Sequence, residues 1–336
     1  MQLSYSFIIP VYNRPQEIRE LLESMTTLEF SRKFEVVIIE DGSSMPAKEV
    51  VNFYREKLDI QYFQKENSGP GDSRNYGMKR AQGDYFLILD SDVILPADYL
   101  MEVDSYLTEN YYDFFGGPDG AHQNFTPLQK AINYSMTSVF TTGGIRGNKR
   151  SVGKFQPRSF NMGISKKAFE ASGGFGTIHP GEDPDLSLRL LGLGFKSTLI
   201  PNAVVFHKRR IDWEKFYVQV NKFGKVRPIL NKWHPGSGRI TYWFPLIFLT
   251  GLFLAIVLAI FGNPFLLVIY IVYLLIIGLD AAVKNKSFNI GMAAIRATLV
   301  QFYGYGSGFM TSVWKINILN QEPEIAFPEL FFHDTK

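Results

Sequence analysis

No cysteine occurs among the 336 residues, which excludes disulfides, thiolate metal sites and cysteine nucleophiles. The opening run Met1-Gln2-Leu3-Ser4-Tyr5-Ser6 lacks the charged region and long apolar core of a secretory signal, and leads straight into a strand-like run. The front of the chain is therefore expected to stay in the cytoplasm. A glycine-rich dinucleotide fingerprint is also missing after the first strand, where Pro10-Val11-Tyr12-Asn13 stands instead, and this argues against a nicotinamide dehydrogenase. Internal repeats and low-complexity tracts are absent as well. The net charge is only +3, and no nucleic-acid partner is expected.

That small net charge is unevenly spread. Between Lys208 and Arg239 nine Lys or Arg stand against two acids, Asp212 and Glu214. Residues 211–241 read as a basic juxtamembrane segment, because Lys and Arg gather on the cytoplasmic side of spanning helices. Trp243–Phe261 follows, nineteen residues without a charge. This is close to the ~20 needed to cross a bilayer core of roughly 30 Å. Asn263-Pro264 breaks the run and Phe265–Leu279 resumes it, so 242–280 is expected to be a transmembrane hairpin. Lys284 and Lys286 flank its far end, which places both ends in the cytoplasm and predicts a multi-pass protein of the inner (cytoplasmic) membrane. A third helix, 288–314, carries Arg296, Gln301 and four glycines and is read as membrane-embedded or interfacial. Its Gly304, Gly306 and Gly308 would let it pack closely on the hairpin. Residues 315–336 form a tail.

Before this apolar material lie residues 1–210, enough for one sizeable α/β domain. Ser6–Val11, Phe34–Glu40, Ile60–Gln64 and Tyr85–Leu89 are short β-rich runs. Pro15–Thr26, Pro46–Leu58 and Pro70–Ala81 between them read as helices, each opened by a proline whose missing N–H costs little there. That alternation predicts a mostly parallel sheet flanked by helices, with ligands outside the carboxyl ends of the strands. Those ends carry Tyr12-Asn13, Asp41-Gly42-Ser43-Ser44 and Asp90-Ser91-Asp92. From Gly116 to Phe160 a mobile excursion rich in Gly, Asn, Thr and basic residues is expected, with one helix near Pro127–Thr141. Phe160–Ile164 returns as a strand, Asp183–Leu191 forms a short helix, and Lys196–Ile200 and Ala203–Phe206 are extended.

Two carboxylates one residue apart, Asp90 and Asp92, close a buried strand. Burying like charges together is costly without a cation, and Mg2+ or Mn2+ would neutralise them while binding substrate phosphates. A helix N-cap or loop turn using Asp92 is the bland alternative. Further motifs stand in order around this pair: Ile8 to Arg14, Glu40 to Ser44, Asn67 to Gly77, and Gly181-Glu182-Asp183-Pro184-Asp185.

Taken together, from Ser4 to His207, these motifs resemble the family 2 glycosyltransferases, whose nucleotide-binding domain has the GT-A fold. The resemblance is to membrane-anchored enzymes of bacterial polysaccharide or cell-surface glycan synthesis. It implies that Pro10, Tyr12, Asn13, Asp41, Arg74, Asp90 and Ser91 bind the nucleotide-sugar. Tyr12 would stack on the base, and Asp41 would accept a uracil N–H. Asp90 and Asp92 would address the ribose and the diphosphate-bound metal, Mn2+ or Mg2+, with His207 as a third metal ligand or diphosphate contact. Glu182-Asp183 matches the family's acidic pair, with Asp183 as the base and Glu182 as the close alternative; an N-cap role for Asp183 ahead of Pro184 is the bland one. Inverting transfer needs one acceptor-side carboxylate and a metal to stabilise the departing diphosphate. Gln219 and Arg227 lie where related synthases place a loop over donor and acceptor. The Gln-x-x-Arg-Trp motif of processive synthases is missing, which counts against a processive polymerase.

The implied function is a hexosyltransferase-type glycosyltransferase that uses a UDP-sugar and a glycan or lipid-linked oligosaccharide acceptor at a membrane lipid surface. Transfer to a polyprenyl phosphate, as in dolichol-phosphate mannose synthases, is the nearest rival. Val93-Ile94-Leu95-Pro96-Ala97-Asp98 departs from the acidic, His- and Pro-rich run usual there. A non-catalytic membrane scaffold that binds nucleotide sugars is the rival of another class, and the intact Asp90, Asp92 and Asp183 argue against it.

Overall fold

A computed structural model describes residues 2–120, 125–143, 155–207 and 212–332 of the chain. In order, the first elements are β1 (Tyr5–Val11), α1 (Pro15–Met25), β2 (Glu35–Asp41), α2 (Lys48–Tyr54), β3 (Asp59–Lys65), α3 (Pro70–Met78), β4 (Tyr85–Leu89) and β5 (Val93–Ile94). Next come α4 (Tyr99–Glu109), β6 (Phe114–Gly116), β7 (Asp119–Gly120), α5 (Pro127–Thr137), α6 (Val139–Thr142), β8 (Asn161–Ser165) and α7 (Lys166–Ser172). The remainder is α8 (Glu182–Gly192), β9 (Ser197–Leu199), β10 (Val205–His207), α9 (Trp213–Trp233), α10 (Phe244–Ile260), α11 (Phe265–Asn285), α12 (Phe288–Ser312) and α13 (Pro323–Ala326).

Two compact units result. The first spans 1–122, 149–207 and 331–336. Its main sheet runs β3-β2-β1-β4-β8-β6-β9, and a small sheet runs β5-β10-β7. The pairs β1 with β2, β1 with β4 and β2 with β3 are parallel, and β8 lies antiparallel between β4 and β6. The mostly parallel sheet expected from the sequence is thus present. Successive residues of one strand point to opposite faces, and here both faces are apolar because helices cover both. Phe7 and Ile9 pack with Leu21, Val51 and Leu100, while Ile8, Val37 and Ile88 pack with Met78, Ala168 and Leu186.

After β3 the chain returns to the other side of β1 to form β4, so β1 and β4 flank the point where strand order reverses. Pairing of β1 with β4 reaches only Ile8↔Ile88. Pro10 follows where the two strands part, and beyond it their carboxyl ends open the kind of crevice in which such sheets bind ligands.

The second unit spans 123–148 and 208–330. This differs from a single cut at 210, because α5 packs with the later helices. Ala131 and Tyr134 join Ile277, Ala281 and Ala294, while Ile132 and Met136 join Phe216, Val220 and Ala297. Tyr134 Oη also donates to Asp280, 2.5 Å away. The helix expected near Pro127–Thr141 breaks at Ser138, whose backbone turns extended (ψ 142°) and whose hydroxyl caps α6. Much of the excursion, 121–124 and 144–154, lies outside the described residues.

Most of the basic segment forms α9, capped by the Asp212 side chain on the Lys215 N–H at 2.7 Å. Small residues let α9 approach α12 closely. A Cβ on Gly224 would lie 2.1 Å from the Tyr305 carbonyl oxygen, and one on Gly308 would lie 2.3 Å from that of Asn221. Gly306 instead faces α10, where a Cβ would meet Leu249 at 2.7 Å. So α12 does pack on the hairpin, but two of its three clustered glycines serve α9.

Gly224→Ala should destabilise this unit by about 1–3 kcal/mol, since the obstacle is backbone that cannot rotate away. Thermal unfolding in detergent checks it, with Gly192→Ala, which has nothing within 4 Å, as the neutral control. An unchanged melting temperature for Gly224→Ala would refute the close approach.

Two helical stretches, Ile240–Ile260 and Phe265–Asn285, are long and apolar enough to cross a membrane, with mean hydropathies of 2.5 and 2.6. Only 17% of each is buried within the protein. Among the described residues α12 does not reach that standard.

Candidate active site

The carboxyl ends of β1, β2 and β4 and the N-termini of α3 and α8 carry most of the residues expected to act. Asp41 ends β2 at 3% exposure. Its Oδ1 accepts from Lys65 Nζ at 2.6 Å and the Ser68 N–H at 3.0 Å, and its Oδ2 from the Gly69 N–H at 3.0 Å. In this state its carboxylate organises the turn that enters α3. Asn13, at φ 53°, ties β1 to the loop after β2, its side-chain oxygen accepting from Ser44 Oγ and the Met45 N–H. Tyr12 is 53% exposed, its ring open to a partner, whereas Ser91 is buried.

Arg74, on α3, is the hub. Only 3% exposed, it donates through Nη2 to Asp90 Oδ1 at 2.7 Å and through Nη1 to Glu182 Oε1 at 3.1 Å. Its guanidinium also lies 5.3 Å from the centre of the Phe175 ring. Asp92 pairs with Arg14. Two arginines, one for each carboxylate, thus supply counter-charge where the sequence predicts a divalent cation.

Glu182 and Asp183 open α8, with Gly181 rather than Asp183 at the N-cap and no side-chain capping bond. The bland reading of Asp183 is thereby set aside. The two acids differ sharply. Burial would raise Glu182, but His179, with Nδ1 3.0 Å from Oε1, and then Arg74 outweigh it and hold the carboxyl down at about 2. Burial pushes Asp183 above the usual range and the Glu182 charge adds to this, while Arg158, 3.6 Å away, opposes. Adjacent carboxyls whose environments push them apart are suited to different roles.

Asp185 is structural. It receives Arg189 Nε at 3.0 Å, and Arg189 also binds the carbonyls of Ser172 and Gly174, fixing the turn ahead of the acids. Asn75 clamps the same segment to α3 through two bonds with the backbone of Phe175.

A model of the family described as "Glycosyl transferase family 2" matches residues 6–173, half of the chain. The chain belongs to glycosyl transferase family 2. The enzyme class implied by the motifs, a glycosyltransferase, is that of the family. Poly(ribitol-phosphate) beta-N-acetylglucosaminyltransferase TarS of Staphylococcus aureus is 34% identical over 165 residues, 44% of this chain and 29% of that protein. The chain thus spans less than a third of that relative's length. In fold, it is similar to mannosyltransferase PcManGT from Pyrobaculum calidifontis, solved with GDP-Man and Mn2+. The TM-score is 0.59 at 16% identity, over 94% of this chain and 88% of that one. S. aureus TarS 1-349 in complex with UDP-GlcNAc gives 0.51 at 17% identity, over 95% and 92%.

Against this family 2 background, the remaining expectations separate. Asp90 and Asp92 fit a Mg2+ or Mn2+ ion by chemistry, since such ions are held by one or two carboxylates plus substrate phosphates and waters. Among the described residues no group of three or more His, Asp or Glu is arranged around a metal position. His207 ends β10, but its side chain lies outside the described residues. Gln219 and Arg227 lie on α9 in the second unit, where Arg227 stacks 4.3 Å from the centre of the Tyr242 ring. Sequence reasoning gave no role to Arg14, Lys65, Asn75, Phe175 or His179. Arg14 and Asn75 sit inside the quoted motifs, and for Arg14 the like-charged Asp90-Asp92 pair is the signal that a counter-charge must be near.

Proposed function

We propose that the protein transfers a sugar, with inversion, from a UDP-sugar to a glycan or lipid-linked oligosaccharide acceptor at the cytoplasmic face of a membrane. The observation that carries this reading is the arginine bridge. Asp90, on the donor side, and Glu182, beside the base, bind opposite arms of one guanidinium. Donor carboxylate and acceptor-side acids therefore converge within the span of one sugar diphosphate.

Tyr12 offers its exposed ring to the base, with Pro10 and Asn13 shaping the strand end beneath. The Asp41-held turn and Ser91 complete the wall around the nucleotide. Asp90 and Asp92 would hold Mn2+ or Mg2+, which when bound neutralises charge on the departing diphosphate. Asp183 takes the proton from the acceptor hydroxyl as that oxygen bonds to the anomeric carbon. The bond from the anomeric carbon to the phosphate oxygen breaks, and its electron pair leaves with the nucleoside diphosphate. Arg74 spans Asp90 and Glu182 and supplies counter-charge to both. Neighbours in fold support a nucleotide-sugar donor: one holds UDP-GlcNAc and another GDP-Man with Mn2+. The two apolar helices with positive flanks support the membrane assignment.

The test is a thermal-shift screen of UDP- and GDP-sugars on the full chain, with Mn2+, with Mg2+ and with EDTA. One donor at ~100 times its dissociation constant should add about 2.7 kcal/mol. EDTA should remove most of that gain together with nucleoside diphosphate release. Equal shifts for all nucleotides, or none with any, would overturn the reading.

A further inference from the structure

Resting on that transferase reading, we propose that Phe332 is a positioning residue for the acid pair, acting through His179. Phe331 and Phe332 belong to the first unit although they follow the whole helical unit in sequence. Phe331, 8% exposed, bridges Ile178 in antiparallel fashion, and the Phe332 N–H donates to the Thr177 carbonyl at 3.0 Å. The last described residues are thus stitched onto the segment that leads into Glu182.

The Phe332 ring has two neighbours of consequence. On one side its centroid lies 6.0 Å from that of His179, whose Nδ1 meets Glu182 Oε1 at 3.0 Å. On the other side it fills the space over Gly69, where a Cβ would fall 2.4 Å from the ring. Gly69 sits at φ 92°, and its N–H binds Asp41. The ring therefore wedges between the turn after Asp41 and the imidazole that meets Glu182. Beside it lies a cavity of about 50 Å3, lined by Ser68, Asn75, Phe175 and His179 among others.

Loss of the ring acts unequally on the two sides. Asp41 already fixes the Gly69 turn through several donors, so the nucleotide side keeps its shape. On the other side the cavity enlarges by the volume of a phenyl ring, and the His179 imidazole, 40% exposed, gains room to swing from Glu182. Glu182 then shares its charge with Arg74 alone, and the carboxylate beside the base shifts. A misplacement on the order of 1 Å is enough to lower turnover by roughly a hundredfold.

The experiment uses the full chain in detergent, with UDP-GlcNAc and GDP-mannose as separate probes in Mn2+, and follows nucleoside diphosphate release. Phe332→Ala should lower kcat on the order of ten- to a hundredfold while the donor KM stays within about twofold. Phe332→Tyr, which keeps the ring, should restore kcat, and it also covers the case in which the alanine variant fails to fold. An unchanged kcat in Phe332→Ala, a change in KM alone, or no rescue by tyrosine would each overturn the role. No release by the wild-type chain with either probe would sink the transferase reading itself, and this inference with it. Normal release by Phe332→Ala would sink the inference alone.

Discussion

Asp183→Asn lowers donor turnover by roughly 10²- to 10⁴-fold, the usual worth of a positioned general base, and leaves donor binding intact. The substitution keeps size and shape while removing the group that accepts the acceptor's proton. Burial and the neighbouring Glu182 charge hold Asp183 above the ordinary carboxyl range, so it is the better proton acceptor of the two. Glu182, held down at about 2, is the poorer one and is already engaged by His179 and Arg74. The sign of the stability effect is opposite to that of the rate. A carboxyl whose folded pKa is raised binds its proton more tightly in the native state than when unfolded, so its ionised form costs stability at neutral pH. That cost is relieved as pH falls through the raised value. Asparagine carries no charge, and the variant should therefore melt at or above the wild type at pH 7. Wild-type turnover should fall as acid protonates Asp183, at a pH where Glu182 is still ionised. Initial rates of nucleoside diphosphate release, a pH profile and a melting curve check all three. Near-normal turnover in the variant would remove Asp183 from the base role.

The catalytic half was readable because its signals are local. Proline at the first helical turn, alternating apolar runs and polar strand ends each depend on a few adjacent residues. Together they located β1 to β4, the helices between them and the acids at their ends. Counter-charges were less readable. Arg74 is sixteen residues from Asp90 and 108 from Glu182, and only the sheet order brings the three together. Asp92 and Arg14 meet across the β1–β4 crevice for the same reason. A cut at 210 leaves α5 with the residues before it, whereas α5 packs with the later helices, and its apolar stripes carry no mark of which unit they will join. The basic segment read as a collar because charge dominates its composition. Its helical period was masked by Pro228, which α9 accommodates within its length. The return of Phe331 and Phe332 to the first unit had no local signal at all, since a short aromatic pair after a helical unit looks like any tail.

Arg74→Met should strongly destabilise the first unit. The methionine fills much of the arginine stem but supplies no charge. Glu182, with its side chain 5% exposed, would keep only His179 beside its buried carboxylate, and Asp90, 33% exposed, would lose its hydrogen-bonded arginine. Breaking a buried pair by removing one partner typically costs 3–5 kcal/mol, because the remaining charge keeps its desolvation penalty and loses its compensation. For a unit of this size that corresponds to a fall in melting temperature on the order of 10 °C. Arg74→Lys should recover only part of it, since one ammonium cannot reproduce the fork that reaches both carboxylates. The decisive comparison is Arg74→Met with Glu182→Gln. Removing the stranded charge should return most of the lost stability, so the two effects will be far from additive. Turnover should stay low in the double variant, because Asp90 still lacks the arginine that orients it. Additive losses in the melting curves would mean that Arg74 and Glu182 do not share a buried charge, and the convergence of donor and acceptor sides on one guanidinium would have to be given up.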